Sequence, residues 1–349
     1  MNEIIEKKVK TRIVLLSFLV IVLVFIFIVG GLIYGLGVRS TFSNKITSII
    51  PFPAAIVGGT RFVTIDALNE NLSSVERFYK NQNFSEIGFR VDFATEDGKK
   101  RLKIKEKKVL NKLIENKIIE KLAADRGIVV TSEMARQDVS QSMSRYGNEE
   151  YVKKNLLNLY GWSVDDFIEK LVRPDLLRKE LAKKMRETEV DFITAKEKIK
   201  QAQTELNNKK DFAEVAKKYS QAESAKDGGD LGWFAADQMI PEITISVFPL
   251  KKGEMSDVIE SPLGFHIVQV EDRKTEDGVD KVKVRQILVK TKDFAGWLTE
   301  EERKIAVKIP LKDYYWDKDR AVVDFMDNGM KDFEKNLEKN SAGDISVLF

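Results

Sequence analysis

The sequence predicts an α+β chain: an N-terminal transmembrane helix, a helical domain, and a smaller unit that mixes helices with strands. Three observations predict it. An uncharged apolar run extends from Ile13 to about Leu36. Between about Lys100 and Met185, apolar residues recur at the i, i+3, i+4 spacing of one helix face. From Asp211 to Arg273 the pattern changes to an amphipathic helix, a Gly-rich turn, a second helix, a Gly-Glu turn and a closing strand.

Composition sets the outer limits. At 349 residues the chain has room for two domains and an anchor. Its 58 basic and 55 acidic side chains leave a net charge of +3, which gives no basis for a nucleic-acid partner. It has no cysteine, so disulfides, thiol nucleophiles and thiolate-bound metals are excluded. Its one histidine, His266, excludes a histidine-cluster metal site and argues against a Ser-His-Asp triad. No cofactor is expected.

The elements follow in order. Residues 1–12 form a basic tail with Lys7, Lys8, Lys10 and Arg12. Residues 13–36 exceed the ~20 apolar residues needed to cross a bilayer. A secretory signal has a shorter apolar core and a small-residue cleavage site, and Val38-Arg39-Ser40-Thr41 offers none. The run is therefore read as a retained single-pass anchor in a cell membrane. Positive charge before it predicts the N-terminus inside and residues 37–349 outside.

Residues 37–53 are a polar linker with Pro51 and Pro53. Residues 54–185 are expected to be a helical domain. It opens with a short strand and turn (Ala54 to Gly59) and a helix capped by Thr64 or Asp66. Val109, Leu110, Leu113, Ile114, Ile118 and Leu122 line one helix, which Gly127 ends. Thr131-Ser132-Glu133 starts the next, Tyr146-Gly147-Asn148 precedes a third, and Ser163 caps a fourth. Residues 186–210 are a polar helix with Ile193, Ile199, Ala202 and Leu206 on its sparse apolar side. The tail, 292–349, is aromatic and charged, with a helix expected over 319–339.

The Gly-rich turn Gly228-Gly229-Asp230-Leu231-Gly232 lacks the Lys-Ser/Thr ending of a phosphate-binding loop. Asp227, Asp230 and Asp237 do not have calcium-loop spacing. Nucleotide and calcium binding are discarded.

Three pieces carry a family resemblance: DFAEVAKKYS (211–220), SAKDGGDLGWF (224–234) and QMIPEI…VFPLKKGEMSDVIESPLGFHIV (238–268). In this order and spacing they resemble the parvulin peptidyl-prolyl isomerases. Residues 54–72, 109–139 and 161–185 are similar to the helical chaperone domain of SurA-, PrsA- and PpiD-type foldases. The resemblance implies a small antiparallel sheet wrapped by helices. It also implies a proline pocket formed by Leu231, Met239 and Ile243 with Phe248 beneath, Ser224 beside it and His266 on the sheet floor. Parvulins more often have Phe at the place of Ile243.

Two departures accompany it. The region where a first histidine strand is expected reads Glu189-Val190-Asp191-Phe192-Ile193. Ala222 stands where the family has Cys or Asp. Residues 282–290, VKVRQILVK, look like the missing first strand, with Gln286 in the histidine's place. A hairpin through Gly278 would set them beside the closing strand, about 265–271, so the parvulin-like domain is taken as 186–291. A truncated second repeat beginning at 282 is the rival reading.

The resemblance implies a membrane-anchored foldase that isomerises X-Pro bonds in exported, unfolded polypeptides outside the cell membrane. The alternative is a parvulin-like chaperone that binds such segments with little or no turnover. A scaffold of a membrane complex is a third reading. The expected partners are unfolded or proline-containing chains and the lipid around residues 13–36, with self-association as a homodimer left open.

Overall fold

The computed structural model describes residues 2–37, 41–81, 92–146 and 158–339. They form two compact units: residues up to Arg178 together with those from Glu301 on, and Lys179–Glu300.

The first unit begins with helix α1 (Asn2–Gly30), which continues as a π-helical turn, Gly31–Leu36. Its 21-residue stretch Leu16–Leu36 has mean hydropathy 3.2 and is long and apolar enough to cross a membrane. Most of its side chains face outward, as in Phe18, Ile21, Phe27 and Ile28.

Strands β1 (Pro53–Val57) and β2 (Arg61–Thr64) form an antiparallel hairpin. Helix α2 (Ile65–Asn81) follows directly. The Ala67 N–H donates to Thr64 Oγ1 at 3.1 Å, so Thr64 is its cap. Helix α3 (Glu96–Asp125) buries Leu110, Ile114, Ile118 and Leu122 of the expected face, and also Ile119. Gly127 follows at φ 69°. Thr131 Oγ1 accepts from Met134 N–H at 3.2 Å at the start of α4 (Ser132–Tyr146). The helix expected after Asn148 lies outside the described residues.

Ser163 and Asp166 form a reciprocal capping box at the next helical start. A π-turn, Ile168–Val172, then leads into α5 (Arg173–Thr188). The wider turn falls just before Pro174, which has no N–H to donate and crowds the preceding turn.

The second unit contains two helices, α6 (Val190–Asn207) and α7 (Phe212–Tyr219). Strand β3 (Asp230–Ala235) and the short helix α8 (Pro241–Val247) come next. Strands β4 (Ile259–Ser261), β5 (Gly264–Glu276) and β6 (Val279–Lys290) complete a four-stranded antiparallel sheet of order β3-β6-β5-β4. The hairpin between β5 and β6 turns on Asp277-Gly278 alone, with Glu276 opposite Val279. Residues 282–290 do pair with 264–273, as the sequence suggested.

Side-chain parity then sorts the sheet. Phe265, Ile267, Ile287 and Val289 point to one face and pack on α6 and α7 through Phe192, Ile199, Phe212 and Val215. Val268, Val270, Val282 and Val284 point to the other and pack on α8 through Ile243 and Val247.

Helix α9 (Phe294–Lys304) returns the chain to the first unit. There β7 (Val307–Lys308) pairs with β1, giving a three-stranded sheet. The tail corrects the expectation of a helix over 319–339. Strands β8 (Tyr314–Asp317) and β9 (Val322–Phe325) form a hairpin, and helix α10 covers only Asn328–Lys339. Trp316 facing Val323 and Tyr314 facing Phe325 favour strands, and Arg320 pairs with Asp317 and Asp324 to close the turn. The first unit is thus helix-rich with two small antiparallel sheets, not purely helical. Its tail is tied to α3: Val323 N–H donates to Asn111 Oδ1 at 2.9 Å, and Lys107 pairs with Glu334.

Candidate functional site

The site is built on the central strand of the second unit. β6 is bonded to β5 along one edge. Its other edge is shared between three segments. β3 pairs with residues 281–285. Gly229 O then accepts from Gln286 N–H at 2.8 Å. Beyond it, Leu288 N–H donates to Ser220 Oγ at 3.1 Å, Gln221 N–H donates to Leu288 O at 2.7 Å, and Lys290 N–H donates to Gln221 Oε1 at 2.7 Å. Every segment of this buried edge thus has partners. Gly229 must be glycine: its φ is 82°, and a Cβ would stand 2.4 Å from the carbonyl oxygen of Gln286. Arg285 fixes the same turn by donating to the carbonyls of Asp227 and Gly228 while pairing with Glu271.

His266 and Gln286 lie on the same face of the sheet. His266 faces Leu288 in register and Gln286 faces Val268, so the two polar residues are diagonal neighbours. His266 is 1% exposed. Its Nε2 is 2.6 Å from Ser261 Oγ, which also accepts from Leu263 N–H at 3.0 Å. A buried hydroxyl has one proton to place, and Leu263 N–H can only donate. Donation from Ser261 to Nε2 is the arrangement that places this buried proton, with the ring proton then on Nδ1. Nδ1 has no hydrogen-bond partner among the described residues. Burial holds the imidazole below its ordinary pKa, with Gln286 and the Glu242 charge opposing that shift more weakly. The ring is neutral at pH 7.

Beside this polar pair lies an apolar floor. Met239, Ile240, Phe234, Phe248 and Leu250 are half-buried against Ile243, Val247, Val268, Val270, Val282 and Val284. Three of the four expected pocket residues, Met239, Ile243 and Phe248, are therefore together. Leu231 is not among them; it sits at the bulge between Asp230 and Gly232 and is 37% exposed. Ser224 carries a buried Oγ with no partner, and its carbonyl accepts from Gly229 N–H at 2.7 Å. Ser224 is thereby joined to the loop that holds Gln286, with no hydrogen bond to Gln286 or His266. Ala222 precedes this loop as the cap of the short turn Glu223–Asp227. Among the described residues no group of three or more His, Cys, Asp or Glu side chains could hold a metal ion.

Sequence reasoning missed Ser261 and the edge partners Ser220 and Gln221. Ser261 had a signal: Ser-Pro-Leu-Gly before a strand is a tight hairpin, and Ser261 faces Gly264 at its base. Gly264 has φ 135°, and a Cβ there would stand 2.2 Å from Val289 O.

Residues 179–272 match the family described as PPIC-type PPIASE domain, and residues 1–182 match the family described as SurA-like N-terminal domain. The second match takes in more than half of the chain, and the chain belongs to the SurA-like N-terminal domain family, with a PPIC-type peptidyl-prolyl isomerase domain following it. Among curated relatives it is similar to foldase protein PrsA 1 of Bacillus cereus, 35% identical over 42% of this chain and 54% of that one. It is also similar to chaperone SurA of Methylobacillus flagellatus, 35% identical over 36% of this chain and 30% of that one. The chain thus spans between about a third and a half of the length of these relatives. A crystal structure of the peptidylprolyl isomerase PrsA from Bacillus anthracis aligns with 65% of this chain and 94% of that one, at 21% identity and a TM-score of 0.20. The isomerase-domain match stops at Asp272, before β6, although β6 is one of the two inner strands of the sheet.

Proposed function

We propose that this protein is a membrane-anchored foldase, facing away from the cytoplasm, that isomerises X-Pro bonds in exported unfolded chains. The observation that carries the reading is the apolar floor of Met239, Ile243 and Phe248 beside the neutral His266–Ser261 pair. The amide barrier of ~18–20 kcal/mol comes from the partial double bond. Rotation breaks no covalent bond, so the site has only to bind the twisted amide better than the planar one. The apolar floor holds the proline ring. Gln286, half-buried, supplies a neutral polar group to the carbonyl as it turns, and the buried His266–Ser261 pair keeps the floor beneath it neutral. The domain limits that go with this reading are 54–185 for the chaperone part and 186–291 for the isomerase part.

Two further features support the wider claim. The uncharged run Leu16–Leu36 has the length of a membrane span, and the basic residues before it favour an inside N-terminus. The relatives named foldase and chaperone suggest unfolded polypeptides as partners.

A second reading is favoured by Gln286 and Ala222, which replace groups that the family uses. Under it the site holds proline-containing segments with little turnover. A protease-coupled prolyl-peptide assay on the full chain in non-ionic detergent separates the two. The first reading expects isomerisation above the buffer rate. Aggregation of an unfolded client suppressed without any rate enhancement would leave the second.

A further inference from the structure

The sheet of the second unit has a second cleft, on the side away from the proline floor. It encloses about 510 Å³ between the end of α5, the start of α6 and Glu260 of β4. Its apolar part is Ile193, 40% exposed, together with the edge of Phe192. Three lysines line it, Lys183, Lys196 and Lys200, all exposed and none in an ion pair among the described residues. Lys196 and Lys200 are one helical turn apart on α6 and so project the same way. The lining carboxylates are largely engaged: Glu260 lies 3.4 Å from Arg186 and Glu187 lies 3.6 Å from Lys184. Of these carboxylates, Glu197 has no ion pair among the described residues. The cleft therefore offers unneutralised positive charge around an exposed aliphatic side chain.

We infer that this cleft is a second polypeptide-binding site, selective for an extended segment in which acidic residues flank an aliphatic or aromatic one. Charge complementarity names the occupant: carboxylates for the three lysines, and an apolar side chain for Ile193 and Phe192. The inference rests on the foldase reading only in taking the occupant to be an unfolded chain. The location also ties the cleft to the site. Phe192 packs edge-on against Phe265 at 5.0 Å, the residue before His266. Glu260 directly precedes Ser261, which holds the His266 ring. A segment seated here touches the β4–β5 hairpin from behind, while the proline floor stays open for another part of the same client.

The test uses the full chain in non-ionic detergent and two proline-free fluorescent dodecapeptides, one of Glu and Leu, the other of Lys and Leu. Fluorescence anisotropy should show the acidic peptide binding and the basic one not. Charge reversal at Lys183→Glu, Lys196→Glu and Lys200→Glu should weaken the acidic peptide by about tenfold or more, since three surface charge contacts are lost and reversed. These positions are exposed, and unchanged circular dichroism should show that the fold survives. Met239→Ala should leave this binding unchanged, and a prolyl peptide should not compete. Loss of prolyl turnover with the acidic peptide still bound would overturn the isomerase reading and keep the cleft. Unchanged affinity in the triple variant, or competition by the prolyl peptide, would overturn the cleft. Lysine-dependent capture of vesicles containing phosphatidylglycerol, without peptide binding, would assign the surface to lipid and overturn it as well.

Discussion

The two faces of the four-stranded sheet are made from the same two strands by the same alternation, yet they differ in chemistry. On the α6–α7 face, Phe265, Ile267, Ile287 and Val289 join one apolar cluster with α6 and α7. On the α8 face, His266 and Gln286 interrupt a run of valines. A buried polar side chain is costly unless it is satisfied, and His266 is satisfied at one nitrogen only. The difference separates two duties: one face holds the unit together, while the other keeps neutral polar atoms beside an apolar floor.

The largest expected effect breaks the structural face. Ile267 and Ile287 are fully buried, and Ile267→Ala should cost about 2–5 kcal/mol. Hydrogen exchange of β5 and β6 amides should accelerate accordingly, with amides of α3 in the other unit unchanged. Next comes Ser261→Ala. It removes the acceptor for Leu263 N–H and the donor to His266, at a cost of about 1–3 kcal/mol. Turnover should fall with it, and Ser261→Thr should restore much of both. Equal stability loss with unchanged turnover would reduce Ser261 to a purely structural role.

A smaller effect sharpens the other face. Met239 is half-buried at its margin, so Met239→Ala should weaken prolyl-peptide affinity several-fold, about 1 kcal/mol, and barely alter amide protection. Unchanged affinity would place the proline elsewhere. The smallest concerns pH. His266 has its pKa lowered by burial, so the unfolded chain binds the proton more readily. The contribution is fully present above the unfolded value of about 6.5 and is lost as pH falls through the folded one. Protection of β5 should decline below that pH by at most ~1.4 kcal/mol per unit, and His266→Asn should remove that decline.

Much of this was legible in the chain. Thr64, Thr131 and Ser163 read as caps because capping is a local exchange between a side chain and a backbone within three residues. The pairing of β5 with β6 was legible because two alternating runs flank Asp277-Gly278. The start of α10 was not. Residues 322–325 are too short a run to show a period of their own, and only the pairing of β9 with β8 makes them a strand. Leu231 shows the same limit: its type fits an apolar pocket, and only the bulge at its position makes it an exposed side chain rather than part of the buried cluster.

The sequence by itself determined the apolar span, several helix caps and the two faces of each strand, which depend on periodicities and exchanges within a few residues that the local backbone enforces. The candidates Met239, Ile243, Phe248, His266 and Gln286 came with the resemblance to the parvulins. Only the tertiary structure decided that Ser261 donates to His266, that Ser220 and Gln221 close the edge of β6, and that Lys183 shares a cleft with Lys196 and Lys200. Each of those brings together residues from different elements, and nothing local in the sequence fixes which loops meet when the sheet closes.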